Sequence, residues 1–308
     1  MKAVFLDAGS LGDDVDLSPI RALVSSLDTW PRTDASERVR RLQGAQIAIS
    51  NKVMLDAATL KALPELRLIC VTATGMNNVD LDVAKQLGIT VRNVTAYGTD
   101  SVAQHTMMLM LALANRLPLY QRDVAAGRWQ RSTSFCLLDY PTLQLNGKRL
   151  VIVGSGELGS RVAQLASAFG MDVVFSARPG SEGSDTRTPL SLLAATADVI
   201  SLHCPLNDHT RNLFNSDLIR ALKPGCLLIN CARGGLVDDA AALEALRRGQ
   251  LGGFAVDVLP QEPPSAGHIL LDALHEPLNL IVTPHNAWIT PEARQALVDK
   301  TADNIRNK

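Results

Sequence analysis

The apolar run Leu150-Val-Ile-Val153 feeds directly into Gly154-Ser-Gly-Glu-Leu-Gly159, and Arg161 to Phe169 follows at helical spacing. A strand, a G-x-G-x-x-G turn and a helix in that order predict a dinucleotide site. Gly154 permits the tight turn, Gly156 lets backbone approach a pyrophosphate, and Gly159 lets helix and strand pack closely. The helix start at Glu157-Leu158 then offers free N–H groups and the positive end of a dipole to the phosphates. Because this unit begins near residue 148, a further folded region must precede it.

The 308 residues suggest about two domains. Short apolar runs at Val4–Leu6, Ile47–Ile49, Leu68–Val71 and Ile89–Val91 alternate with helical patterns near 18–28, 35–43, 56–63 and 80–87. Such alternation predicts a parallel sheet. Asp56 and Asp80 are placed to cap helices, Gly44 and Gly88 to end them. Strands near 150–153, 172–176, 198–202, 226–230, 253–257 and 279–282 repeat the pattern more strongly. The fold class is therefore α/β, with two Rossmann-like parallel-sheet domains: a flavodoxin-like substrate domain and a dinucleotide-binding domain. The expected boundaries are 1–98 with 289–308 for the first, discontinuous, and 99–288 for the second. Between the two runs of strands, residues 99–127 read as one long helix, apolar on more than one face, and 128–141 as an aromatic-bearing arm.

Charge and cysteine usage narrow the class. Thirty basic residues against 31 acidic ones give a net charge of −1, and no basic stripe carries interleaved aromatics, so nucleic acid is not an expected partner. The apolar N-terminal run stops too early for a signal peptide, and Thr106–Ala114 is too short to span a membrane. Five cysteines form no C-x-x-C pair and read as reduced thiols of a cytoplasmic protein.

The second strand of the dinucleotide unit runs into Ser176-Ala177-Arg178, where an NAD site usually presents a carboxylate. A guanidinium and serine hydroxyls suit a phosphate instead, so NADP is the expected preference. NAD bound through Glu182 or Asp185 is the alternative. Three further strand ends carry reactive groups: Cys231-Ala232-Arg233, Asp257 with Glu262, and His285. Ligands of open α/β sheets bind at such ends. Arg233 can grip a carboxylate and polarise the neighbouring carbonyl, and His285 can protonate its oxygen. Glu262 can hold that imidazole charged and turned correctly. Singly, each residue suits a bland turn; together they form a catalytic set for a 2-keto acid. His105, in the apolar helix, reads as a satisfied core or interface residue. His203 precedes Cys204-Pro205, a loop placed near the nicotinamide ribose. No second ligand pair accompanies them, so no metal site is expected.

These stretches together resemble the D-isomer-specific 2-hydroxyacid dehydrogenase family over almost the whole chain. The matching segments are Thr72–Asp80, Thr99–Gln104, the glycine loop, Cys231–Gly235, Asp257–Pro263 and Pro284–Trp288. The opening Val-Phe-Leu-Asp-Ala-Gly, Ile49–Val53 and the arm from Gly127 to Phe135 look most like the family's glycerate dehydrogenase (hydroxypyruvate reductase) branch. The resemblance implies Arg233 as substrate binder, His285 as acid/base and Glu262 as its support. It implies substrate contacts at Asn51, Val53, Thr74, Gly75, Met76 and Trp288. It places cofactor contacts at Thr74, Glu157, Leu158, Cys204, Cys231, Ala232, Asp257 and Ala287, with Asp257 on the carboxamide. It further implies a homodimer built by 99–140. A dehydrogenase of bulkier 2-keto acids and a nucleotide-sensing corepressor-like protein stay open as alternatives.

Overall fold

A computed structural model describes residues 1–181 and 184–307. Glu182, named above as a possible ribose ligand, lies outside the described residues. The chain divides into two units: Met1–Gly98 with the segment from Trp288 onward, and Thr99–Ala287. It crosses back at Ala287–Trp288, one residue before the boundary expected from sequence.

The first unit is a five-stranded sheet of β1 (Lys2–Phe5), β2 (Ser26–Thr29), β3 (Ile47–Ser50), β4 (Leu68–Val71) and β5 (Thr90–Arg92). All pairs are parallel, in the order β2-β1-β3-β4-β5. This is the doubly wound order whose winding reverses between β1 and β3. Alternation along β1 sends Val4 and Leu6 into one core layer and Ala3 and Phe5 into the other. The second layer is completed from the far end of the chain. Leu297, Val298, Ala302 and Ile305 of the helix Pro291–Arg306 pack there with Phe5, Ile47 and Ile49. Asp56 and Asp80 cap their helices through the Thr59 and Val83 N–H groups.

The second unit is a six-stranded parallel sheet of β6 (Arg149–Val153), β7 (Asp172–Phe175), β8 (Val199–Leu202), β9 (Cys226–Asn230), β10 (Leu251–Val256) and β11 (Leu280–Val282). Its order is β7-β6-β8-β9-β10-β11. The central strands are buried on both faces, in keeping with their largely apolar sequences. The winding reverses between β6 and β8, so the crevice expected to take a ligand opens where the glycine loop leaves β6.

Two elements differ from the sequence reading. Residues 18–28 are not one helix: Ser18–Arg21 makes a single turn, and the chain then enters edge strand β2. Ile20 is buried in the turn, while Leu23, Val24 and Leu27 pack beside it, so one apolar spacing serves a turn and an edge strand. The long helical pattern is also broken. Helix Thr99–Ala114 stops short of Arg116, which adopts a left-handed conformation (φ 57°), and Leu117–Ala125 starts anew with Pro118 in its first turn. A proline there lacks the N–H that continuation needs.

Candidate active site

The glycine loop uses its three glycines differently. Gly154 has φ 111°, and a Cβ there would stand 2.5 Å from the His203 carbonyl oxygen on the neighbouring strand end. A Cβ on Gly159 would overlap the Gly154 carbonyl oxygen, so helix and loop touch at backbone distance. Gly156 is different: a Cβ there meets nothing within 4 Å. Protein packing does not require glycine at 156, and the space fits the phosphate group expected from the motif. Gly156 also caps the helix Glu157–Ala168 without any side-chain cap, which leaves first-turn N–H groups for an anion. The residues present therefore fit a dinucleotide.

At the end of β7, Ser176 is buried and its hydroxyl turns to the Ala177 carbonyl (3.2 Å). Arg178 is exposed, and its guanidinium has no side-chain partner among the described residues. Asp185 is engaged: it accepts from Arg178 N (2.8 Å), from Arg187 N (3.0 Å) and from the Arg187 guanidinium (2.5 Å). The Arg187 guanidinium and these N–H groups hold the Asp185 carboxyl well below the usual range.

The end of β9 turns sharply at Cys231-Ala232-Arg233. Asn230 clamps that turn, accepting from Ala232 N (3.0 Å) and donating to the Arg233 carbonyl (2.8 Å). Arg233 is exposed, with Nη1 on the Ala232 carbonyl (2.6 Å). A Cβ on Gly234 would overlap the Leu259 carbonyl group, so the arginine turn presses directly on the loop that follows β10. In that loop Glu262 accepts from Leu259 N (2.8 Å) and pairs with His285 Nδ1 at 2.5 Å. The carboxylate can only accept, so Nδ1 carries a proton and Nε2 is the variable position. Nε2 has no protein partner among the described residues. His285 itself sits at φ 53°, a left-handed conformation that a non-glycine residue adopts only where its surroundings enforce it.

Asp257 is part of what enforces it. This buried carboxylate accepts from the Thr283 hydroxyl (2.6 Å), Asn286 N (3.0 Å) and Ala287 N (3.0 Å). Its contacts thus lie with the histidine turn rather than with solvent. Pro205 is exposed, whereas Cys204, Cys231 and Ala232 are buried. Burial pushes the Cys204 and Cys231 thiols up to about 11 and about 12, so neither is a thiolate nucleophile. His203 is pushed down to about 4 by burial and stays neutral.

In the first unit, Asn51, Val53, Thr74, Gly75 and Met76 lie at the carboxyl ends of β3 and β4. Asp7, at the end of β1, is buried and accepts from Asn51 N (2.9 Å) and Lys52 N (2.7 Å), fixing that loop. Thr74 donates to the Val94 carbonyl (3.2 Å), and Asn93 donates to the Thr74 carbonyl (2.7 Å). Trp288 packs edge-on against Tyr97 (6.2 Å between centroids). Sequence reasoning missed Asp7 and Asn230. The available signal was a polar residue ending an otherwise apolar strand.

Residues 107–287 match the family model described as D-isomer specific 2-hydroxyacid dehydrogenase, NAD binding domain. The glycerate dehydrogenase of Methylorubrum extorquens is 44% identical over 99% of this chain and 95% of its own length. The chain belongs to the D-isomer-specific 2-hydroxyacid dehydrogenase family. The hydroxypyruvate reductase of Blautia hydrogenotrophica is 34% identical over 99% of this dehydrogenase and 96% of itself. Among solved structures, the D-lactate dehydrogenase from Aquifex aeolicus complexed with NAD and lactic acid superimposes with TM-score 0.80 and 29% identity. That match covers 99% of this chain and 94% of the other. The dehydrogenase is thus an NAD(P)-dependent oxidoreductase acting on the CH–OH group of 2-hydroxyacids. Among its described residues, no helix is long and apolar enough to cross a membrane, and no group of three His, Cys, Asp or Glu could hold a metal ion.

Proposed function

We propose that this dehydrogenase reduces hydroxypyruvate or glyoxylate to D-glycerate or glycolate in the cytoplasm, with NADPH preferred over NADH. The observation that carries the reading is the His285–Glu262 pair at 2.5 Å beside the arginine turn pressed on the same loop through Gly234. Bound nicotinamide supplies the hydride. Arg233 binds the substrate carboxylate and polarises the adjacent carbonyl. His285 delivers a proton from Nε2 to the carbonyl oxygen, and Glu262 orients the ring and balances its charge. The loops at Asn51–Val53 and Thr74–Met76, with Trp288, are the substrate-recognition candidates. The small-acid assignment draws on the glycerate dehydrogenase and hydroxypyruvate reductase relatives.

The NADPH preference rests on Arg178, exposed and with no side-chain partner among the described residues, and on Asp185 being committed to Arg187. A homodimer through helix 99–114 and the arm is supported by apolar side chains left in water there: Phe135 is 91% and Leu138 86% exposed.

The test is hydroxypyruvate reduction followed by cofactor absorbance, with kcat/KM compared for NADPH and NADH. Arg178→Ala should lower kcat/KM for NADPH about 10- to 100-fold, the worth of a charge-assisted phosphate contact, and leave NADH unchanged. Equal or better turnover with NADH in the parent protein would overturn the cofactor preference. Faster turnover of phenylpyruvate than of hydroxypyruvate would overturn the small-acid assignment.

A further inference from the structure

The turn that carries His285 is braced from behind by one face of the helix Thr99–Ala114. Ser101 and His105 stand four residues apart and so share that face. The buried Ser101 hydroxyl donates to the Ala287 carbonyl at 2.6 Å. His105 Nε2 lies 3.0 Å from the Thr283 hydroxyl and 3.6 Å from Asp257. Proton positions along this chain follow from the chemistry of its last member. Asp257 as a carboxylate can only accept, so the Thr283 proton points to it at 2.6 Å. The Thr283 oxygen is then left to accept, and His105 must donate through Nε2–H. The line ends on the Asn286 and Ala287 N–H groups that Asp257 receives, the two amides directly after His285.

We infer that His105 is a positioning residue for the reaction, fixing the His285 turn through Thr283 and Asp257. This inference rests on His285 being the proton donor. Burial holds His105 below its ordinary range, with Asp257 opposing, which suits a neutral imidazole donating one hydrogen bond. The apolar helix alone does not require a histidine at 105, since leucine would fill the same layer. A donor there completes a network in which every proton has an acceptor.

The experiment compares His105→Leu with His105→Gln, whose amide N–H2 can reach the Thr283 oxygen. In His105→Leu, kcat on hydroxypyruvate should fall about 10- to 100-fold, the usual cost of a small misplacement of a catalytic group. KM and the cofactor dissociation constant, read by fluorescence, should move less than about threefold. His105→Gln should recover most of kcat. Independently of turnover, amide hydrogen exchange in the peptide spanning 283–287 should accelerate in the leucine variant and return towards the parent rate in the glutamine variant. Unchanged exchange and kcat in His105→Leu would overturn the inference, as would a glutamine variant no better than leucine. If the parent protein turned over no 2-keto acid while exchange still responded as expected, the proton-donor reading would fail and the brace would stand.

Discussion

Gly156 and Gly159 stand three positions apart, yet a methyl group added at each meets different surroundings. At 156 the backbone is extended (φ −74°, ψ −171°), a conformation alanine adopts freely. Gly156→Ala should therefore keep stability within about 0.5 kcal/mol of the parent, as at open surface sites. Its dinucleotide affinity should nevertheless fall at least about tenfold, since the methyl enters the room left for phosphate. Gly159→Ala should instead lose about 1–3 kcal/mol or more of stability through overpacking against the Gly154 carbonyl. Urea unfolding and a dinucleotide titration of the two variants separate the effects; equal stability losses would defeat the distinction. At this scale much is legible: the spacing of the three glycines marks where backbone must come close, and Gly154 and Gly159 do stand against backbone. What spacing could not convey was the commitment of Asp257 and Asp185. A carboxylate's partners lie on distant segments, at Thr283–Ala287 for the first and Arg187 for the second.

The helix Asp239–Arg247 opens on two successive carboxylates. Asp238 caps it, accepting from Ala240 N (3.1 Å) and Ala241 N (3.0 Å). Asp239, with His268 Nε2 at 3.3 Å, is pushed up to about 6 by burial and by the Asp238 charge. A carboxyl whose folded value is raised binds its proton more tightly in the native state. Its contribution to stability is therefore fullest below about pH 4 and is lost as pH rises through about 6. Asp239→Asn should leave the melting temperature nearly unchanged near pH 4. Above pH 6 it should raise it by the equivalent of about 1–2 kcal/mol. A variant less stable than the parent at pH 7.5 would show instead that the ionised Asp239–His268 contact outweighs the burial. Elements of this kind were well marked in the sequence, because strand runs and capping residues are local signals. The two that were not, β2 and the break at Arg116, share a cause. Apolar periodicity reports which residues are buried, and an edge strand or a restarted helix can bury the same set.

Across the whole molecule, the first sheet depends on residues contributed by the last helix. Truncation before Pro291 would strip Leu297, Val298, Ala302 and Ile305 from the layer over Phe5, Ile47 and Ile49. Hydrogen exchange of the truncated protein should show β1–β5 losing protection while β6–β11 keep theirs. Simultaneous loss across both sheets would mean that the units unfold as one. The helical pattern after Pro291 already carries the expectation that this last helix returns to the first domain, and its apolar face packs there on Phe5, Ile47 and Ile49.

The same arrangement sets an order of events at the ribosome. Residues 99–287 hold every described strand of the second sheet, so that unit waits for nothing beyond Ala287 to complete its fold. The N-terminal unit, synthesised first, keeps open to water the part of one sheet face that Leu297, Val298, Ala302 and Ile305 cover, until that helix emerges. Amino-terminal segments usually fold ahead of those behind them. Here the middle of the chain is ready before its beginning, and the first-made sheet is the one for which a nascent-chain chaperone has most to cover.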